Sequence, residues 1–348
     1  MMQNYPYSWQ PVKSSQFSGL VPQGIVSRTD HRIRLKDRLD HLQVRLGINR
    51  MGHRIGPGIY RIGDPGPESR VFVTANYTLS FDALRSSLKD LDAYILVLDT
   101  SGINVWCAAG KGTFGTDELV RKIEETNLAE RLNHRSLILP QLGAPGVSAH
   151  EVRERSGFRV KYGPVRASDI PAYLGTGKVS SEARRVKFTL GDRLTLVPVE
   201  LKQVLLPMLL VAAALFFTVG LLPALALTGA VLAGSAVFPV MLPWLPTKNF
   251  STKGFILGGA VAGVFAIAHM LRSQHHPLVY VLVCALAYLF TLPPLTAFLS
   301  LNFTGATTFT SRSGVRKEIN TYFPLMVWMA GGGVLLFVAA VILSITLI

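Results

Sequence analysis

Two hydrophobic rhythms alternate along the first half of the chain. "RVFVTANY" reads as a strand ending at Asn76, and "LSFDALRSSLKDLD" places Leu79, Ala83, Leu84 and Leu88 at helical spacing. "AYILVLDT" follows as a continuous apolar run of the kind that forms a fully buried strand. Together the three predict a βαβ unit. "GTDELVRKIEET" opens with Thr116 ahead of Asp117 and Glu118, a helix start, and "RSLILP" predicts a third strand. "GVSAHEVRERSG" predicts a short helix stopped by Gly157, and "FRVKYGP" a fourth strand. The expected fold is α/β, a Rossmann-like open and largely parallel sheet with its ligand-binding loops at the C-terminal strand ends. Those ends carry Thr74-Ala75-Asn76 and residues 99–111, 141–146 and 162–164, so all four should crowd one rim.

Beyond Lys202 the alternation gives way to five apolar stretches, at 204–222, 224–242, 255–271, 278–298 and 325–347. Each approaches the roughly 20 residues that cross a bilayer, so an all-α transmembrane domain of five helices is expected. Only Leu222-Pro223 separates the first two, which predicts a tight hairpin there. The expected organisation is a basic arm at 1–55 with one helix within 32–46, an α/β domain at 56–200 and a membrane domain at 201–348.

Charge sharpens the division. Up to Lys202 the chain has 29 basic and 20 acidic residues, against 6 and 1 after it. With the α/β domain in the cytoplasm, Lys248, Lys253, Arg312, Arg316 and Lys317 also lie inside and Arg272 alone outside, the orientation favoured by the positive-inside rule. The expected location is therefore a bacterial or archaeal inner membrane, with the C-terminus outside. Residues 1–50 are polar and basic, without the apolar core of a signal peptide. The scattered basic charge beside a membrane suggests attraction to anionic lipid, and no nucleic acid is expected as a partner. The two cysteines, Cys107 and Cys284, cannot ligate an iron-sulfur cluster. Cys284 lies mid-span as a small apolar filler. His134, His150 and the pair His275-His276 have no ligand spacing and read as solvated or structural.

"GINVWCAAGKG", residues 102–112, is the stretch that carries candidate chemistry. Gly110, Gly112 and Gly115 spell G-x-G-x-x-G, but the first lies eleven residues past Asp99, and no acidic residue ends the next strand. A Walker loop fails because Gly112 follows Lys111. The alternative is a short helix near 103–110 capping the sheet edge, with Asn104 as N-cap and Gly110 or Gly112 as stop. Cys107 then sits in its first turn, where exposed backbone N–H groups favour a thiolate. Ala108 and Ala109 are expected to leave a flat surface beside it, suited to a metal presented by a flat macrocycle. A packing role for the cysteine is the competing reading.

"GINVWCAAGKGTFGTDELV" resembles the signature of the HgcA family, the corrinoid proteins of microbial mercury methylation. "VFVTANYTLSFDALR", "LDAYILVLDT", "LILPQLGAPGVSAHEV" and "SGFRVKYGPVRASDIPAYL" are similar to that family and, more distantly, to the corrinoid domain of the corrinoid iron-sulfur protein of acetyl-CoA synthesis. The resemblance covers about residues 55–200, and five following spans agree with it. It implies a cobalamin or related corrinoid bound base-off, with the Cys107 thiolate as lower axial cobalt ligand, and methyl transfer from methyl-Co(III) to mercury(II). The cofactor-binding set it implies is Asn104, Val105, Trp106, Cys107, Ala108, Ala109, Gly110 and Lys111 on the cap, with Thr74, Asn76, Gln141, Gly143, Gly146, Tyr162, Gly163 and Pro164 around it. Trp106 is expected to pack the cap onto the domain. Implied partners are a methyl donor of folate type and a ferredoxin with two 4Fe–4S clusters, HgcB, as electron donor and carrier of mercury. Thr307, Thr308, Thr310 and Ser311 lie in a stretch resembling a Thr/Ser/Gly-rich segment of the corrinoid iron-sulfur protein, which suggests a chamber beside the ring. The alternatives are a corrinoid methyl carrier of an acetyl-CoA-type pathway and a membrane-tethered corrinoid or dinucleotide sensor without catalysis.

Overall fold

The computed structural model describes residues 26–49, 52–307 and 312–347, which form two compact units dividing at Lys187. Thr308, Thr310 and Ser311 lie outside the described residues.

The first unit is an α/β domain. In chain order it contains β1 (Ser27–Thr29), α1 (Leu35–Arg45), β2 (Gly58–Ile62), β3 (Arg70–Ala75), α2 (Thr78–Ser87), β4 (Ala93–Leu98), α3 (Val105–Lys111) and α4 (Thr116–Glu125). It continues with α5 (Leu128–Arg131), β5 (Ser136–Leu139), α6 (Ala149–Ser156), β6 (Arg159–Tyr162) and α7 (Ile170–Thr176). The six strands are ordered β1-β2-β4-β3-β5-β6, parallel except for the antiparallel pair β2 and β4. The expected parallel sheet is present, and two further strands, β1 and β2, extend its edge; their short runs carry too little apolar pattern to be read from sequence.

Strand alternation builds two cores. Val71, Val73, Leu96, Leu98, Leu137 and Leu139 face one side, where Val105, Ala108, Phe114, Leu119 and Phe158 cover them. Phe72, Ile95, Val97 and Ile138 face the other, under Phe81, Leu84, Leu88 and Ile170. The helix after β3 therefore covers one face, and those after β4 and β5 cover the opposite one. Such a change of side opens a crevice at the C-terminal strand ends.

The second unit holds α8 (Leu190–Leu194), α9 (Val197–Thr218), α10 (Leu221–Leu232), α11 (Phe238–Met241), α12 (Phe250–Arg272), α13 (Leu278–Asn302) and α14 (Arg312–Leu347). Among the described residues, five helical stretches are long and apolar enough to cross a membrane: Leu190–Thr218, Leu221–Met241, Phe250–Arg272, Leu278–Asn302 and Ser313–Thr346. The first hairpin turns at Val219-Gly220, where Gly220 has φ 123°, rather than at Leu222-Pro223. Pro223 instead lies in the first turn of α10, where its missing N–H is no loss. Close approach of α12 to α13 needs glycine: a Cβ on Gly254 would lie 2.5 Å from the Ala297 Cα, and one on Gly258 2.6 Å from the Pro293 Cα. Lys253 is buried in the first turn of α12, donating to the Leu242 carbonyl at 2.6 Å, rather than standing in an open loop. Arg193 likewise donates to the Pro239 carbonyl at 3.2 Å, and the Glu318 carboxylate accepts from the Ser251 N–H.

Candidate functional site

The C-terminal ends of β3, β4, β5 and β6 meet through hydrogen bonds. Asn76, immediately after β3, is buried and uses its whole side chain on the loop that follows β4. Its Oδ1 accepts from Thr100 N at 3.0 Å and Gly102 N at 2.9 Å, and its Nδ2 donates to Asp99 Oδ1 at 3.1 Å. Asp99 N donates to Glu118 Oε1 of α4 at 2.8 Å. The loop then turns through Ser101 and Gly102, with φ 57° and 71°, into the cap. Asn76 thus positions the loop. Thr74 is buried beside it.

The cap is α3. Asn104 is its N-cap, with Oδ1 accepting from Cys107 N at 2.9 Å, and Gly112 closes it in the left-handed region at φ 84°. Val105, Ala108 and Ala109 are buried against the sheet, while Trp106, Cys107, Gly110 and Lys111 face outward. Two expectations change here. Ala108 and Ala109 let the cap sit close to the sheet, and the open surface beside the cysteine comes from Gly110, where an added Cβ would meet nothing within 4 Å. Trp106 lies on the outward face of the cap, 42% exposed, rather than buried between cap and domain.

The loop after β5 supports the cap from below. A Cβ on Gly146 would lie 2.2 Å from the Phe114 carbonyl oxygen and 2.9 Å from the Ala109 Cα; one on Gly143 would lie 2.5 Å from the Phe114 ring. Phe114, fully buried, is the wedge between cap and loop, and its N–H bonds the Ala108 carbonyl at 3.2 Å. Sequence reasoning missed Phe114, Thr100 and Glu118. The apolar Phe114 inside the Gly-rich "GKGTFG" was the available signal. Gln141 N donates to the Pro164 carbonyl at 3.4 Å, and Gly163 N to the Leu139 carbonyl at 2.7 Å, joining the third and fourth loops. The Tyr162 hydroxyl donates to the Val147 carbonyl at 2.6 Å, and burial pushes this phenol's pKa up. Gly163 and Pro164 are buried.

His134 is structural, hydrogen-bonded to the Ser69 carbonyl and the Ser136 N–H, and His150 is exposed. Cys107 is exposed and Cys284 buried, both unpaired.

Residues 43–174 match the family model of the CO dehydrogenase/acetyl-CoA synthase delta subunit. The α/β unit is distantly related to that corrinoid domain. It is 34% identical over 122 residues to the acetyl-CoA decarbonylase/synthase complex subunit gamma of Methanopyrus kandleri, covering 34% of this chain and 26% of that protein. The subunit gamma of Methanothermobacter thermautotrophicus is 36% identical over 130 residues, 37% of this chain and 28% of its own. The corrinoid/iron-sulfur protein large subunit of Moorella thermoacetica is 26% identical over 151 residues, 43% and 33% respectively. The chain thus spans a quarter to a third of the length of these relatives. The five long apolar helices lie outside the matched family segment.

Proposed function

We propose that this chain is a membrane-anchored, corrinoid-dependent methyltransferase that delivers a methyl group to mercury(II), with Cys107 as lower axial ligand of cobalt in a base-off cobalamin-type corrinoid. The observation that carries the reading is the presentation of Cys107: an exposed thiol in the first turn of a buried-backed helix, next to the open surface at Gly110. The exposed positions of the cap are Asn104, Trp106, Cys107, Gly110 and Lys111, and the open space at Gly110 beside the thiol fits a flat macrocycle. Bound there, a corrinoid would supply a cobalt centre able to carry a methyl group, and an anionic sulfur donor such as Cys107 would raise the electron density on that centre, favouring transfer as a carbanion or radical equivalent.

The chain's own residues orient and hold. Asn104 fixes the turn that bears Cys107 by accepting the Cys107 N–H. Lys111, one turn further on the same face, adds a cation. Thr74, Gln141, Gly143, Gly146 and residues 162–164 form the rim against which ring amides or a nucleotide tail rest, Asn76 acting through the loop it holds. A ferredoxin with two 4Fe–4S clusters supplies electrons and a folate-type donor supplies methyl. Thr307, Thr308, Thr310 and Ser311 are assigned a part in meeting mercury, on the resemblance of their stretch to the Thr/Ser/Gly-rich segment of the corrinoid iron-sulfur protein.

The test is an anaerobic assay of the purified full chain with such a ferredoxin, a methyl donor and mercury(II). Wild type should form methylmercury, and Cys107→Ala should form none while folding normally. Cys107→His should lose nearly all activity, since neutral imidazole lacks the charge. Near-wild-type turnover in either variant overturns the ligand assignment. The acetyl-CoA-type relatives favour a second reading, a methyl carrier for acetyl-CoA synthesis. Corrinoid bands with methyl transfer to an acetyl-CoA synthase, and none to mercury, would select it. Corrinoid or nicotinamide absorbance without turnover would select a sensor.

A further inference from the structure

Helix α1 has its polarity reversed relative to an ordinary surface helix. Its acidic residues point inward. Asp37 accepts from Arg85 Nη2 at 2.9 Å, Asp40 bonds His53 Nδ1 at 2.6 Å, and His41 bonds Asp82 at 2.7 Å. Arg85 in turn holds Asp82 at 2.6 Å and the Asp30 and Arg32 carbonyls at 2.8 and 2.7 Å. These bonds fix the rotation of the helix about its axis. Leu35, Leu39 and Leu42 are thereby turned to solvent, 73%, 52% and 52% exposed. Spaced i, i+4 and i+7, they form one narrow stripe. Arg38 and Arg45 flank it on one side and Lys36 on the other, all exposed, while no acid shares that face.

An apolar stripe bordered by cations is the arrangement that lies in a bilayer interface, leucines among the upper acyl chains and basic groups at anionic headgroups. Three leucines would hold a free protein only weakly. The same chain carries five helices of membrane-spanning length, so a lipid surface is always at high effective concentration, and a weak contact suffices. An acidic protein partner would match the cations but gives no reason for the unpaired leucines. We propose that α1 is an interfacial helix that docks the α/β unit on an anionic lipid surface, with the Asp37, Asp40 and His41 contacts as the clasp that aims it.

The test uses the full chain in nanodiscs with a fluorescent amino acid in place of Leu39, and a control at Glu154 on α6. With phosphatidylglycerol present and brominated acyl chains, the Leu39 probe should lose about half its emission, and the Glu154 probe almost none. Replacing phosphatidylglycerol by phosphatidylcholine, or introducing Lys36→Glu, Arg38→Glu and Arg45→Glu together, should relieve that quenching with an unchanged melting temperature. The charge reversal leaves the inward bonds intact. A Leu39 probe unquenched in every lipid overturns the proposal. So does one shielded equally with and without bromine, which would place protein, such as residues 1–25 or a second chain, over the stripe.

Discussion

At the scale of single residues, the site depends on side chains whose hydrogen bonds are spent on its own loops. The Asn76 side chain makes four hydrogen bonds that shape the loop entering the cap, inside a protein interior where an unmet partner costs about 1–3 kcal/mol. Asn76→Ala should lower stability by about 2–3 kcal/mol in denaturant melts and broaden the response of Cys107 to thiol reagents. Asn76→Asp keeps the acceptor but sets a carboxylate against Asp99, and should be as damaging at neutral pH. His53 gives a pH dependence. Burial opposes its charge, but bonds to the Ile48 carbonyl and the Asp40 carboxylate outweigh this and raise its pKa. Its contribution is therefore complete below an unfolded-state value of about 6.5 and is lost as pH rises through the higher folded value. Urea melts across that alkaline-going window should show declining stability, and His53→Gln should flatten the slope.

At the scale of elements, α3 has two faces with opposite tolerances. Gly146 lies under its buried face, so Gly146→Ala should overpack Phe114 and Ala109 and destabilise the unit by about 1–3 kcal/mol. Gly110 lies on its open face, where a methyl group meets no protein atom. Gly110→Ala should therefore leave the melting temperature equal or higher, since alanine is the better helix former by about 0.5–1 kcal/mol. If the outward face receives the ring, the same substitution should still weaken corrinoid retention, read from the visible spectrum after gel filtration. Equal loss of stability in both variants would contradict this division.

At the scale of the whole molecule, the proposed topology places the α/β unit, Arg316 and Lys317 on one side of the membrane and Arg272 on the other. Accessibility labelling of single cysteines placed near Arg272 and Lys317, on a background lacking Cys107 and Cys284, should report opposite sides. Labelling from the same side would refute five spans. The part proposed for the Thr/Ser segment adds that exchanging Thr307, Thr308, Thr310 and Ser311 for Ala reduces methylation without altering insertion. Unchanged turnover would leave that segment a lipid anchor.

What the order of residues determined by itself was everything local or periodic: the alternation of β3, α2, β4, α4, β5, α6 and β6, five apolar stretches, and Asn104 as the start of the cap, with its stop narrowed to Gly110 or Gly112. Burial period, capping chemistry and hydrophobic length all act over a few residues, so they are visible in one dimension. The tertiary structure alone decided which face each residue occupies. It assigned Ala108 and Ala109 to the sheet, turned Trp106 outward, drew Asn76 into holding a loop 23 to 26 residues away, and made Phe114 a wedge. It also recruited β1 and β2 to the sheet and turned the leucines of α1 to solvent. The reason is that these outcomes depend on partners distant in sequence: a seven-residue helix has two possible faces of similar polarity, and only the position of Gly146 and Phe114 beneath it selects the one that shows Cys107 to solvent.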